Sequence, residues 1–151
     1  MSTRIQTVLL TGKTLTTATR REGSSHIVDE RIDIQLSTPG TARNEIALTA
    51  IRMHPTAEQL FAGAWSACYT GALGLVAKAK KVTLPSDLSV DIEVDLGKTG
   101  DAFFIQARFN VIMPGIALDI AEALAHAAHD VCPYSKAVHG NIDVTMNVIA
   151  A

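Results

Sequence analysis

The chain has 151 residues, 48% of them hydrophobic and 19% charged, and its 13 Lys+Arg against 15 Asp+Glu leave a net charge of −2. Such a length suits one domain able to bury about 70% of its unfolded surface, and the composition excludes a disordered or collagen-like chain. With no basic excess to neutralise a phosphate backbone, nucleic acid is not an expected partner, and two cysteines cannot build a disulfide scaffold.

Met1 to Thr14 contains only the short apolar run Val8-Leu9-Leu10, too short for the core of a signal peptide, which points to a cytoplasmic protein. Threonines crowd Thr14 to Thr19, and Ile32, Ile34 and Leu36 alternate with polar residues; these read as strands joined through the turn Arg20-Arg21-Glu22-Gly23-Ser24. Pro39-Gly40 ends that segment, and the connection to Pro55 contains Ile46 to Ile51, which reads equally as a strand or a short helix. Thr56 is a candidate N-cap, with Glu58 and Gln59 in the first turn of a helix running to about Lys80. Within it, Leu60 to Ala77 carries no charge over eighteen residues, the lower edge of a membrane-spanning length. Gly63, Ser66, Thr70, Gly71 and Gly74 interrupt that run, so a buried helix of a soluble domain is expected, and no membrane.

The strictest period of two follows: Leu88, Val90, Ile92, Val94 and Leu96 alternate with Ser89, Asp91, Glu93 and Asp95, a strand with one wet face. Residues 97–101 close a hairpin onto a second strand, Ala102 to Met113, which Pro114-Gly115 stops. Ile116, Ile120, Leu124, Ala127 and Val131 then recur at helical spacing as far as Cys132, and Pro133 bars continuation. A last strand uses Ile142, Val144, Met146 and Val148. The order predicts a single α+β domain over residues 1–151, without repeats or linkers.

Gly12-Lys13-Thr14 resembles the end of a phosphate loop but lacks the glycine five places earlier, where Thr7 stands. Ser66 lacks the flanking glycines of a nucleophile elbow. Of the two cysteines, Cys68 lies on a helical stripe with Phe61, Ala64, Trp65, Ala72 and Leu75, and Cys132 closes the second helix. Their spacing admits both an inert buried pair and a redox pair. His126, His129 and Cys132 follow at intervals of three, but such steps diverge by roughly 120° over one helix, and a metal would need His26, His54 or His139 brought in by folding. Arg20, Arg21, Glu22 and Glu58 are ordinary solvated charges unless a cysteine stands near them; a guanidinium beside a thiol lowers its pKa, and a carboxylate can hold that guanidinium.

The runs from Glu58 to Cys68 (Glu-Gln-Leu-Phe-Ala-Gly-Ala-Trp-Ser-Ala-Cys), from His129 to Ser135 (His-Asp-Val-Cys-Pro-Tyr-Ser) and from Gly140 to Val144 (Gly-Asn-Ile-Asp-Val) resemble the organic hydroperoxide resistance (Ohr) family of the Ohr/OsmC superfamily. The resemblance implies antiparallel sheets packed around two helices in an intertwined homodimer. It also implies a thiol peroxidase of alkyl or lipid hydroperoxides with no bound cofactor or metal, reduced by the dihydrolipoyl group of a lipoylated protein. By the same resemblance Cys68 is the peroxidatic thiolate, Cys132 the resolving thiol, Arg21 the activating cation with Arg20 as its neighbouring alternative, and Glu58 the carboxylate that fixes it. The apolar surroundings of Cys68, Phe61 and Trp65 among them, would favour an organic tail. Departures from the family pattern are Thr56-Ala57 where Asn-Pro is common, the connection 41–53 in place of a glycine-rich one, and Lys136-Ala137-Val138-His139 where an asparagine and an arginine are usual. The alternatives are the OsmC branch, with a different peroxide preference, and a non-enzymatic metal or small-ligand binding protein.

Overall fold

A computed structural model describes residues 4–17 and 55–150. The expected strand around Ile32 to Leu36, the turn holding Arg20, Arg21 and Glu22, the connection 41–54, and His26 and His54 lie outside them. The described residues form one four-stranded sheet in the order β1-β2-β3-β4, where β1 is Thr7–Thr17, β2 Ser89–Thr99, β3 Ala102–Ile112 and β4 Asp143–Ile149. The strict alternation of residues 88–96 becomes β2, with Leu88, Val90, Ile92 and Val94 buried on one face. A two-residue loop, Gly100-Asp101, joins β2 to β3, since Thr99 already pairs with Ala102. The hairpin is thus tighter than the five residues expected, and the positive φ of Gly100 (58°) supplies the bend.

Two expectations about the sheet need correction. Its pairing is mixed: β1-β2 and β2-β3 are antiparallel, but β4 runs parallel to β3, in the register Ala107 opposite Val144 and Val111 opposite Val148. The reason lies in the connection, because the helices between Ile116 and His139 return the chain to the end from which β3 started, and a strand entered from there can only run alongside it. Nor is the face opposite the core simply wet. Asp95 is 1% exposed, covered by Arg108, Gln106 and Thr11.

Helix α1 (Ala57–Ala79) packs across the inner face. Thr56 caps it as its sequence suggests, its hydroxyl accepting from the Gln59 amide at 3.2 Å while the Gln59 side chain accepts from the Thr56 amide at 3.0 Å. The helix start lies so close to β1 that a Cβ on Gly12 would stand 2.6 Å from the Gln59 amide nitrogen; Gly12 is there for close approach. Although α1 is long and apolar enough to span a membrane, Trp65, Tyr69 and Leu73 are fully buried in the core beneath it. Phe109 of β3 meets Trp65 and Tyr69 edge-on, with ring centroids 4.9 and 5.0 Å apart.

The buried stripes differ from those expected. On α1 the core face is Ala62, Trp65, Ser66, Tyr69, Ala72, Leu73 and Val76, while Ala64 and Leu75 are exposed. Helix α2 (Leu118–Val131) buries Ala121, Leu124, Ala125 and Ala128 and leaves Ile120 and Val131 exposed. Small residues at the α1–α2 contact let the helices approach until the Tyr69 hydroxyl donates to the Ala125 carbonyl at 2.8 Å. Pro133 does end α2, and it also opens a third helix, α3 (Pro133–Val138), at its first position.

Candidate functional site

Three short-range decisions bring the cysteines together. Trp65, Tyr69 and the capped start of α1 fix its rotation, leaving the Cys68 side chain half-buried at the edge of the core. The break between α2 and α3 falls on Cys132, whose amide still bonds Ala128 at 2.9 Å while its carbonyl accepts from Lys136 at 3.0 Å. Its extended backbone (ψ 122°) turns the side chain inward, where it is wholly buried. The Cys132 thiol donates to Cys68 Sγ across 3.4 Å, with both cysteines free.

A buried tie holds this approach. Trp65 stands three residues before Cys68 and Ser135 three residues after Cys132, and the indole N–H of the first donates to the hydroxyl of the second at 2.9 Å, both fully enclosed. No spacing rule singles out Ser135, and the sequence reading missed it. The backbone amide of Tyr134, also missed, favours the Cys68 thiolate.

The electrostatics are unbalanced. Burial pushes the Cys68 thiol up, the Tyr134 amide pulls it down, and the neighbouring Cys132 raises it again, leaving the net shift upward. Nothing among the described residues places a cation against it. Glu58 is 7% exposed beside Gly12 at the start of α1, and its Oε2 has no hydrogen-bond partner among the described residues. Phe61 is half-buried with its ring 5.5 Å from Trp65, edge-on. Arg20 and Arg21 lie outside the described residues.

Among the described residues, which exclude His26 and His54, no three His, Cys, Asp or Glu side chains converge. His126 is exposed, whereas His129 packs edge-on against Phe109 and is held below its ordinary pKa by burial, with Asp130 opposing the shift. A cleft of about 420 Å³ beside α3 and β4 is lined by His129, Asp130, Ser135, His139 and Asp143 and touches neither cysteine.

Residues 49–147 match the family model described as OsmC-like protein. An organic hydroperoxide resistance protein of Xanthomonas axonopodis pv. citri is 38% identical over 128 residues, covering 85% of this chain and 87% of the relative. Among solved structures, an organic hydroperoxide resistance protein OsmC of Legionella pneumophila superposes with a TM-score of 0.59 at 38% identity, over 64% of this chain and 70% of its own. The organic hydroperoxide resistance protein OhrB of Bacillus subtilis does so with 0.60 at 35%, over 64% and 72%. With the model covering well over half its length and a relative of this identity along most of it, the chain belongs to the Ohr/OsmC family.

Proposed function

We propose that the protein is a cytoplasmic, homodimeric thiol peroxidase that reduces alkyl or lipid hydroperoxides to alcohols and is recycled by the dihydrolipoyl group of a lipoylated protein. The observation that carries this reading is the 3.4 Å separation of Cys68 and Cys132 Sγ, with one thiol half-open and the other enclosed. In the first step the Cys68 thiolate attacks the distal oxygen of ROOH; the O–O bond breaks, and RO⁻ takes up a proton and leaves as ROH. Cys68 becomes a sulfenic acid. The Cys132 sulfur then attacks Cys68 Sγ, hydroxide departs as water, and a disulfide forms. A dithiol reduces it by exchange, becoming a cyclic disulfide itself.

Because burial raises the Cys68 thiol, this reading needs a fixed cation, and Arg21 is assigned that task, with Arg20 as the alternative. The same guanidinium would donate to the peroxide oxygens as negative charge moves onto the leaving alkoxide. Glu58, buried with one oxygen unpartnered among the described residues, is assigned to hold it. Glu58 and Cys68 are ten residues apart on one helix, a rise of about 15 Å, farther than a single guanidinium bridges. The carboxylate serving a given Cys68 is therefore assigned to a second copy. The exposed α1 face of Ala64, Ala67, Gly71 and Leu75 is the surface such a pairing would cover. Phe61 gives the apolar wall for an organic tail, and the enclosed Trp65 backs it.

Stopped-flow loss of thiol against cumene hydroperoxide and hydrogen peroxide tests the reading. A much larger second-order rate for the organic peroxide supports it; equal rates, or a preference for hydrogen peroxide, move the protein to the OsmC-branch alternative. Thiols that survive both peroxides reject peroxidase function.

A further inference from the structure

The reduced cysteine pair has a second chemical property that needs no peroxide. Two free thiols with Sγ atoms 3.4 Å apart form a bidentate ligand for a soft centre, and their spacing lies closer to what some such centres need than to others. With metal–sulfur bonds of about 2.3 Å, a tetrahedral ion spreads two sulfurs to about 3.8 Å, and a linear one to about 4.6 Å. A pyramidal three-coordinate centre with angles near a right angle and bonds of similar length wants about 3.3 Å. Trivalent arsenic is that centre.

Coordination number narrows the ligand further. No third His, Cys, Asp or Glu converges on the pair among the described residues, which therefore offer two donors where zinc requires three or four. An arsenical that already carries one organic group has two positions to exchange, which the two thiols fill. We propose that the reduced Cys68–Cys132 pair is a chelating site for monosubstituted trivalent arsenicals, R–As(III). The step balances without any redox partner: R–As(OH)₂ plus two thiols gives R–As bridging Cys68 and Cys132, two As–O bonds break as two As–S bonds form, and the thiol protons leave in two waters. Entry is through the half-open Cys68, with the enclosed Cys132 closing the chelate second. The organic group is then left on the half-open Cys68 side of the chelate, where the Tyr134 side chain is also exposed.

The test uses the full reduced chain and phenylarsine oxide, read by intact mass spectrometry and thiol counting. One arsenic per chain, loss of both titratable thiols, survival in excess monothiol and release by a dithiol are expected. Cys68→Ser and Cys132→Ser should each hold the arsenical about a hundredfold more weakly against monothiol, the loss of an intramolecular second bond. Wild type previously closed to the disulfide with diamide should bind none, a control that requires no variant to fold. Equal retention by Cys132→Ser, binding to the disulfide form, displacement from wild type by monothiol alone, or equally tight Zn²⁺ binding would each overturn the proposal. Because no peroxide enters the assay, its failure leaves the peroxidase reading standing, and the reverse also holds.

Discussion

The outer face of the sheet and the cysteine site handle charge in opposite ways. On the sheet, Asp95 accepts from Thr11 at 2.5 Å, from Gln106 at 2.7 Å and from both terminal nitrogens of Arg108, while Glu93 takes Arg108 at 2.6 and 2.9 Å and also Lys13. Lys13, Arg108, Glu93 and Asp95 each meet an opposite charge across β1, β2 and β3, so these four weld the strands together. At the cysteines the thiol is pushed up by burial, and ten residues earlier on α1 the Glu58 carboxylate keeps an oxygen unpartnered among the described residues. A matched network is architecture; the proposed function completes the other with an arginine from outside the described residues, and perturbed groups of that kind mark reactive sites.

Changes at the unmatched site should produce the largest effects. Cys68→Ser should abolish turnover, whereas Cys132→Ser should consume about one peroxide per chain and stall at the sulfenic or a higher acid, as mass spectrometry would show. Normal turnover of Cys132→Ser with a dithiol would remove its resolving role. Next in size, Arg21→Ala should slow the peroxide step by about 10²–10³-fold. Glu58→Ala, which leaves the cation present but unaimed, should lose about 10–100-fold, and Arg20→Ala little. Since the thiol of Arg21→Ala would ionise only at higher pH, part of the rate should return under alkaline conditions. The part owed to orienting the peroxide should not. A damaging Arg20→Ala beside a silent Arg21→Ala would move the role one residue along.

The same contrast explains what could be read from the residues alone. The sheet's outer face was legible because β2 alternates strictly and its acids fall on one side. Its parallel partner was not, since strand direction depends on where a helical crossover delivers the chain, and no residue in 143–149 encodes that. Both helices were found but rotated wrongly, because alanine and glycine count as apolar on every side. On α1 the largest residues decide which face is buried, and Trp65, Tyr69 and Leu73 turn Leu75 out to 65% exposure; on α2 close packing against α1 buries alanines and leaves Ile120 and Val131 outside. The separation of 64 positions between Cys68 and Cys132 carries no local signal of proximity, and only the resemblance paired them. Ser135 is invisible for the same reason, as its partner Trp65 is seventy residues away.

That tie supports a smaller, sharper experiment. Ser135→Ala leaves the indole N–H buried without an acceptor, while Trp65→Phe removes that N–H together with part of the buried ring and so also carries a packing loss. Losing one such bond is worth about 1 kcal/mol, or roughly fivefold in a rate that depends on it. Oxidation of Cys68 should be unchanged and disulfide closure slower, so a larger share of Cys68 should reach the sulfinic acid under excess peroxide. The double variant should close about as slowly as Trp65→Phe alone, since the hydrogen bond that Ser135→Ala removes is already gone there. Closure at the wild-type rate in both would reduce the tie to packing.

The matched network should show the converse, an effect on stability with none on rate. Burial opposes ionisation of Asp95, but Arg108, Thr11 and Gln106 outweigh it and hold the carboxyl down at about 2. A carboxyl lowered from 3.8 to about 2 on folding stabilises the native state above its unfolded pKa and loses that contribution as pH falls through the folded one. Asp95→Asn sets an amide N–H₂ among donors and should destabilise the protein by about 2–3 kcal/mol at neutral pH, less than a fully buried pair because Arg108 is partly in water. The gap between the two proteins should narrow from pH 4 towards pH 2, where the wild-type carboxyl also takes up a proton. Urea unfolding across that range measures it, and an unchanged gap at the acid end would show that Asp95 contributes shape rather than charge. Peroxide rates at neutral pH should be the same for both; a slower Asp95→Asn protein would mean that the sheet's charges reach the cysteines, and the division between the two regions would fail.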